Sequence, residues 1–387
     1  MEKIALLGPT YPYRGGISSH TTYLCEALRK KREVYFLSYE TQYPTWLFPG
    51  KSDKDPSEER IQTKDVEYIL DPMNPISWYK TAKSILEKGV QRLILPWWVC
   101  FWAPCYNLVI ALLKRWNPGL MVTFVCHNVV EHEDHFLKRV LTKWVLSYGD
   151  SFVVQSSQDY LRLRCLLGDG IHVQRAVHPI YEEFAASHDR IKKLGKNRKR
   201  RILFFGFIRP YKGLDVLFEA FAMMQEKNSI LQVVGECWDG IDKYESQADE
   251  LGISERVEWV DRYVPNEELG EYFEETDVVV LPYRSASGSG ICQMALSFAQ
   301  PVVASRVGSI SDVIEDGVNG LLVEPENPRA LGQALDESLN EEINSRLRQG
   351  VLNTRSRYTW SAFAEKVLNI SAKSGEGSSL VPELESI

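Results

Sequence analysis

The 387 residues include seven cysteines but no Cys-x-x-Cys pair, and nowhere is there a run of about 18 uncharged apolar residues. The scattered thiols Cys25, Cys100, Cys105, Cys126, Cys165, Cys237 and Cys292 therefore read as buried side chains, neither disulfides nor zinc ligands. Without a long apolar run no transmembrane helix is expected. The apolar stretch within Met1–Pro9 is too short for the core of a signal peptide, so the expected location is cytoplasmic. An excess of positive charge is missing too, since 45 Lys and Arg face 52 Asp and Glu for a net charge of -7. Such a chain has no general attraction for nucleic acid or an anionic membrane, so any contact of that kind needs a local patch, and a nucleic-acid reader is not expected.

With 44% hydrophobic and 25% charged residues, the chain is long enough for two domains with separate cores. Short β-branched runs at residues 4–7, 34–37, 93–95, 121–126, 152–154 and 172–177 alternate with amphipathic helical stretches. The pattern restarts at 202–205, 231–234, 257–260, 278–281, 302–304 and 321–323. This alternation predicts an α/β chain of two Rossmann-like, doubly wound parallel sheets facing a cleft. The expected division is a first domain over 1–185, a basic linker over 186–200, a second domain over 201–357 and a disordered tail over 372–387. The linker reads as a solvated segment, with a phosphate- or membrane-touching patch as the alternative.

Several segments carry chemistry. Gly15 and Gly16 stand between the first strand and a helix, where free amides and the helix dipole favour a phosphate; a simple tight turn capped by Ser18 or Ser19 is the competing reading. The second domain opens with Gly206-Phe-Ile-Arg-Pro-Tyr-Lys-Gly213, which sets Arg209 and Lys212 at a strand end, as a fork and a point charge suited to a departing diphosphate. Residues Ser287 to Ile291, with Ser289, Gly290 and Ile291 at a helix start, form a second candidate anion nest. His127 ends a strand and is expected to face the cleft, contacting a sugar or polarising an acceptor; His178 is a lesser candidate near the domain boundary. His127 together with His132, Glu133 and His135 invites a metal reading that has no second ligand cluster, so no metal is expected. Trp97 and Trp98, in the aromatic stretch Pro96–Pro104, line an acceptor pocket or touch lipid in one reading and pack a core in the other.

In this order and spacing the motifs resemble the glycosyltransferases of the GT-B fold, and within them the retaining family 4. The resemblance rests on Gly15-Gly16, on Gly206 to Gly213, on Val264-Pro-Asn-Glu-Glu-Leu269 with Thr276 to Pro282, and above all on Pro301 to Gly308 with Ile314 to Val323. It implies a nucleotide diphosphate sugar, UDP- or GDP-linked, held mainly by the second domain through Gly206, Arg209, Lys212 and the Ser289 to Ile291 nest. It further implies a glycan, lipid-linked or small-molecule acceptor on the first domain, retention by front-face attack, no cofactor and no metal. A C-terminal helix over 358–371 is expected to cross back onto the first domain, and a peripheral contact with the inner membrane face is open to such enzymes. One departure stands out: the family's pair of glutamates eight positions apart is replaced by Ala286 and Met294, while Ser289-Gly290 matches a subset that carries Ser-Gly instead. A catalytically silent nucleotide-sugar or glycan binder of the same fold is therefore a competing expectation. A sugar-nucleotide 2-epimerase trails it for want of suitably placed carboxylates.

Overall fold

A computed structural model describes residues 2–44, 52–58, 63–129, 136–185, 198–238, 240–286 and 288–370. In the first domain, β1 (Lys3–Leu7), α1 (Gly16–Arg29), β2 (Glu33–Tyr39), β3 (Val66–Leu70), α2 (Pro75–Glu87), β4 (Arg92–Trp97), α3 (Ala103–Trp116), β5 (Met121–Cys126), α4 (Phe136–Leu146), β6 (Ser151–Val154), α5 (Ser157–Leu167) and β7 (Val173–Arg175) follow one another. In the second, the order is β8 (Arg200–Phe205), α6 (Leu214–Met223), β9 (Ser229–Val234), α7 (Asp242–Glu250), β10 (Val257–Val260), α8 (Leu269–Glu274), β11 (Val278–Leu281), α9 (Gly290–Ser297), β12 (Val302–Ser305), α10 (Ile310–Val313), β13 (Gly320–Val323), α11 (Pro328–Leu339) and α12 (Glu341–Thr354). The last helix, α13 (Trp360–Asn369), returns to the first domain.

The sheets run β3-β2-β1-β4-β5-β6-β7 and β10-β9-β8-β11-β12-β13, with every pairing parallel. Strands such as β4, β11 and β12 are buried at every position, because helices cover both faces of a parallel sheet and leave no polar side to alternate with. Helix starts are marked by polar caps: Asn74, Ser156, Asn327, Asn340 and Thr359 each accept a hydrogen bond from a first-turn amide.

One face of the first sheet is completed from the far end of the chain. Ile4, Leu6, Leu24 and Leu28 share a core with Trp360, Phe363 and Val367, and Tyr23 stacks on Trp360 at 5.1 Å. Arg92 donates to the Val367 carbonyl at 2.8 Å, and Lys31 pairs with Glu365 at 2.7 Å. The two connections between domains touch each other, Ile180 N donating to the Tyr358 carbonyl at 2.9 Å.

Several details differ from the sequence reading. Strand β3 was not anticipated: it is an edge strand, interrupted by Glu67, with little apolar periodicity to reveal it. The basic segment ends in structure, since Arg198 and Arg200 pair with Asp277 at 2.7 and 3.4 Å and Arg201 pairs with Glu258 at 2.9 Å; residues 186–197 lie outside the described residues, as does the tail from 371. The thiols are free, but they are not all buried: Cys25, Cys105, Cys126 and Cys292 are, whereas Cys165 is exposed and Cys100 and Cys237 are partly so.

Candidate functional site

In each sheet the strand order reverses once, between β1 and β4 and between β8 and β11, and side-by-side loops part there to leave a crevice at the carboxyl ends of the strands. The two crevices face each other across a cavity of about 420 Å³. Its walls include Gly15 to Ser19 and Tyr23 of the first domain and Gly206, Phe207, Lys212, Gly235, Glu236, Tyr263 and Ser289 to Ile291 of the second.

Two helix N-termini open onto this space. At the start of α1, Gly15 has φ 106, a value that L side chains avoid, and no side chain caps the helix or places acid in its first turn. At the start of α9, Ser289 Oγ accepts from Cys292 N at 3.1 Å, which leaves the Gly290 and Ile291 amides at the cavity wall.

Lys212 supplies the positive charge. It is 6% exposed, its Nζ lies 5.6 Å from the Tyr283 ring, and among the described residues none accepts a hydrogen bond from its ammonium or forms an ion pair with it. Burial without a counter-ion pushes its ammonium down to about 7. The turn that aims it depends on Gly213, whose φ is 67 and where a Cβ would stand 2.1 Å from the Pro282 carbonyl oxygen. Gly206 lets the ammonium lie against the end of β8, a Cβ there meeting Lys212 Nζ at 3.0 Å.

The domains also touch around the cavity. Arg14 Nη1 reaches Glu236 Oε2 at 2.9 Å, with the side chains 6% and 10% exposed. Ser157 donates from N and Oγ to Asp312 at 2.8 and 2.7 Å, and Asn266 N donates to Ser57 Oγ at 3.0 Å.

Behind the cavity lies a cluster of imidazoles. Gln155 Nε2 is 3.1 Å from both His20 Nε2 and His127 Nδ1, and the His20 ring centroid is 4.4 Å from that of His127 and 4.9 Å from that of His178. Burial pushes His127 down to about 3 and His178 to about 4, and drives His20 well below its ordinary value with help from its two imidazole neighbours.

Of the residues singled out from the sequence, Gly15, Gly16, Gly206, Lys212, Ser289, Gly290 and Ile291 line the cavity together. Arg209 does not; its guanidinium stands 5.2 Å from the Trp238 ring. His127 and His178, each 7% exposed, stand in the cluster behind the wall, and His127 Nε2 is buried with no hydrogen-bond partner. Trp97 is a core side chain at 1% exposure because both faces of the sheet are covered at β4 and it packs with Trp102 and Tyr106, while Trp98 is half-buried and donates from Nε1 to Tyr43 Oη at 3.1 Å. Ser287, His132, Glu133 and His135 lie outside the described residues, and no group able to hold a metal ion occurs among those described. No described helix is long and apolar enough to cross a membrane. Met294 lines the cavity where the resembled family carries an acid, and Ala286 is buried at 4%. Sequence reasoning missed the aromatic share of the wall, Tyr11, Tyr13, Tyr181, Phe207, Tyr263 and Tyr283, and the Arg14–Glu236 pair.

Two parallel-sheet domains closing on a cavity at both switch points make this a GT-B fold. The comparisons agree. The structure is similar to HepE of Anabaena in complex with UDP (TM-score 0.71, 14% identity, 95% of this chain and 98% of that one). It is also similar to the lipopolysaccharide outer core galactosyltransferase WaaB (TM-score 0.70, 14% identity, 95% and 99%). Residues 187–354 match the family of glycosyl transferases group 1, and the chain resembles the family 4 enzymes of this fold. A D-inositol 3-phosphate glycosyltransferase of Frankia alni is 31% identical over 46% of this chain and 46% of its own length. The chain thus spans about half the length of the curated relatives it matches.

Proposed function

We propose that the protein is a glycosyltransferase that takes a sugar from a nucleoside diphosphate, UDP- or GDP-linked, and passes it to a glycan, lipid-linked or small-molecule acceptor entering from the first domain. The observation that carries this reading is the convergence of two open helix N-termini and one buried, unpaired ammonium on a single cavity. Such a cradle wants a multiply charged anion, and a diphosphate offers one charge group to each side. Solved neighbours named as complexes with UDP and UDP-glucose support the same ligand class.

In this reading the Gly290 and Ile291 amides and Lys212 hold the diphosphate, and the α1 amides at Gly15 and Gly16 approach it from across the cleft. As the bond from the anomeric carbon to the diphosphate breaks, charge grows on the leaving oxygens; amides and ammonium fixed in a dry cavity stabilise it without reorganising. Retention follows when the acceptor attacks from the same face and its proton passes to the leaving phosphate, so no metal and no protein base are called for. Arg209 joins the cradle by swinging from Trp238. His127, whose Nε2 is buried without a partner, meets the sugar or acceptor once the wall at Gly288 shifts, where a Cβ would already lie 3.4 Å from Gln155 Oε1.

The test is thermal stability against UDP, GDP, ADP and dTDP, followed by turnover of the sugar nucleotides of the responding base. Ligand at about a hundred times its dissociation constant adds about 2.7 kcal/mol. Silence towards all four nucleotides would defeat the reading. The cavity position of Met294 favours one second reading, a binder without turnover; stabilisation by nucleotide with every sugar nucleotide left intact would select it.

A further inference from the structure

Arg14 belongs to none of the glycine or cation motifs above, yet of the contacts that cross between the domains it makes the buried ion pair. It directly precedes Gly15, and its backbone N donates to the Asp53 carbonyl at 2.9 Å, so the loop is braced on its own domain. Its guanidinium crosses the cleft and meets three side chains of the second domain. The centre of the guanidinium stands 5.6 Å from the Phe207 ring and 5.1 Å from the Tyr263 ring. Its Nη1 meets Glu236 Oε2 at 2.9 Å. Phe207, Glu236 and Tyr263 follow β8, β9 and β10, whose carboxyl ends form the cavity wall, and the Glu236 carbonyl is itself held by Ile208 N at 3.0 Å.

A planar cation between aromatic faces, paired to a carboxylate away from water, is attracted far more strongly than the same groups in solvent. The two charges belong to different domains, so separating the domains means rehydrating both at once. Removing one partner takes from the other a close opposite charge in a largely buried setting, which costs more than losing an exposed pair. The contact is therefore two-state, made or broken, and the residue beside it is the glycine at which α1 begins.

We propose that Arg14 is a positioning residue: its insertion between Phe207 and Tyr263 onto Glu236 is the latch that sets the α1 N-terminus over an anion held at Lys212. This rests on the glycosyltransferase reading for the identity of the anion, but the latch itself is a property of the cleft. Made, it brings first-domain amides to the phosphate and excludes water; broken, it leaves the ligand on the second domain alone.

Arg14→Met removes the charge while keeping length, Arg14→Lys keeps charge but not the planar fork, and Arg14→Glu with Glu236→Arg restores the pair in reverse. Each is compared with the unmodified chain by small-angle scattering, with and without saturating UDP or GDP, and by kcat and KM for the donor. The latch predicts that Arg14→Met is more expanded than the parent in both states. It also predicts a kcat lower by about tenfold or more with donor KM within about threefold, because second-domain binding survives while cleft closure is lost. Arg14→Lys should fall between, and the reversed pair should recover compaction. If Arg14→Met scatters and turns over as the parent does, or the reversed pair is no more compact than Arg14→Met, the latch is refuted. If the parent binds no nucleoside diphosphate, the glycosyltransferase reading fails instead, and the ligand-free scattering of Arg14→Met against the parent still decides the latch.

Discussion

Lys212 makes the cradle's chemistry measurable, because a cation buried without an anion pays in stability for what it contributes to binding. Burial lowers its ammonium from 10.5 to about 7. In the native chain it thus binds fewer protons than in the unfolded chain between about pH 7 and 10.5. Stability from this group therefore rises with pH across that window, and below it the full cost of burying the cation is felt, at about 1.4 kcal/mol for each unit of lowering. Lys212→Met removes the cost, so without ligand the variant should be more stable than the parent by a few kcal/mol near pH 6, the gap closing towards pH 10. Diphosphate affinity should move the opposite way. Above pH 7, where the ligand's phosphates are already ionised, the parent must take up about one proton to bind, and affinity should fall about tenfold per unit, roughly a hundredfold by pH 9. Titration calorimetry in two buffers of different ionisation enthalpy reads that proton directly, and Lys212→Met should show weak, pH-flat binding with no uptake. Unchanged proton uptake in Lys212→Met, or a variant less stable than the parent near pH 6, would refute the argument that Lys212 is the unpaired charge of the site.

Three further outcomes follow from the packing. Gly213→Ala puts a Cβ 2.1 Å from the Pro282 carbonyl at a positive φ, so urea unfolding should show a loss of about 2 kcal/mol or more and reduced diphosphate affinity from the same protein. His20, His127 and His178 are held neutral by burial, so the unfolded chain binds more protons than the native one below about pH 6.5; stability should drop by up to about 1.4 kcal/mol per unit for each imidazole as pH falls towards 4, and His178→Asn should make that slope shallower by about one proton. Trp360→Ala should cost about 3 to 5 kcal/mol, because Trp360 is 5% exposed between Tyr23 and the His20 ring, and calorimetry should place the loss in the first domain while a nucleotide-bound second domain holds its melting point.

The fold was legible where burial leaves a simple record. Strands covered on both faces have to be runs of Val, Ile, Leu and Phe, so the six strands of the second sheet and most of the first could be placed from the sequence. Glycine at a helix start or a strand end is equally plain, and Gly15, Gly16 and Gly290 mark the cavity in the first way and Gly206 in the second. What failed has a common cause. An aromatic residue serves a core or a ligand wall equally well, and only the packing of Trp102 and Tyr106 over the end of β4 puts Trp97 inside. Arg14 and Glu236 are ordinary charged residues until two separately folded sheets are brought face to face. Cys165 looked like a core thiol but lies on the outward side of α5, whose periodicity is weak.

The return of α13 to the first domain has a consequence for how the chain is made. During synthesis the first sheet emerges early, with Ile4, Leu6 and Val125 facing a place that Phe363 and Val367 will fill. Helix α1 covers part of that face, but the part filled by α13 stays open until the whole second domain has left the ribosome, so the domain begun first is the one finished last. Through that interval the uncovered part is a site where a chaperone can bind or a neighbouring nascent chain can stick, and the arrival of one ten-residue helix closes it.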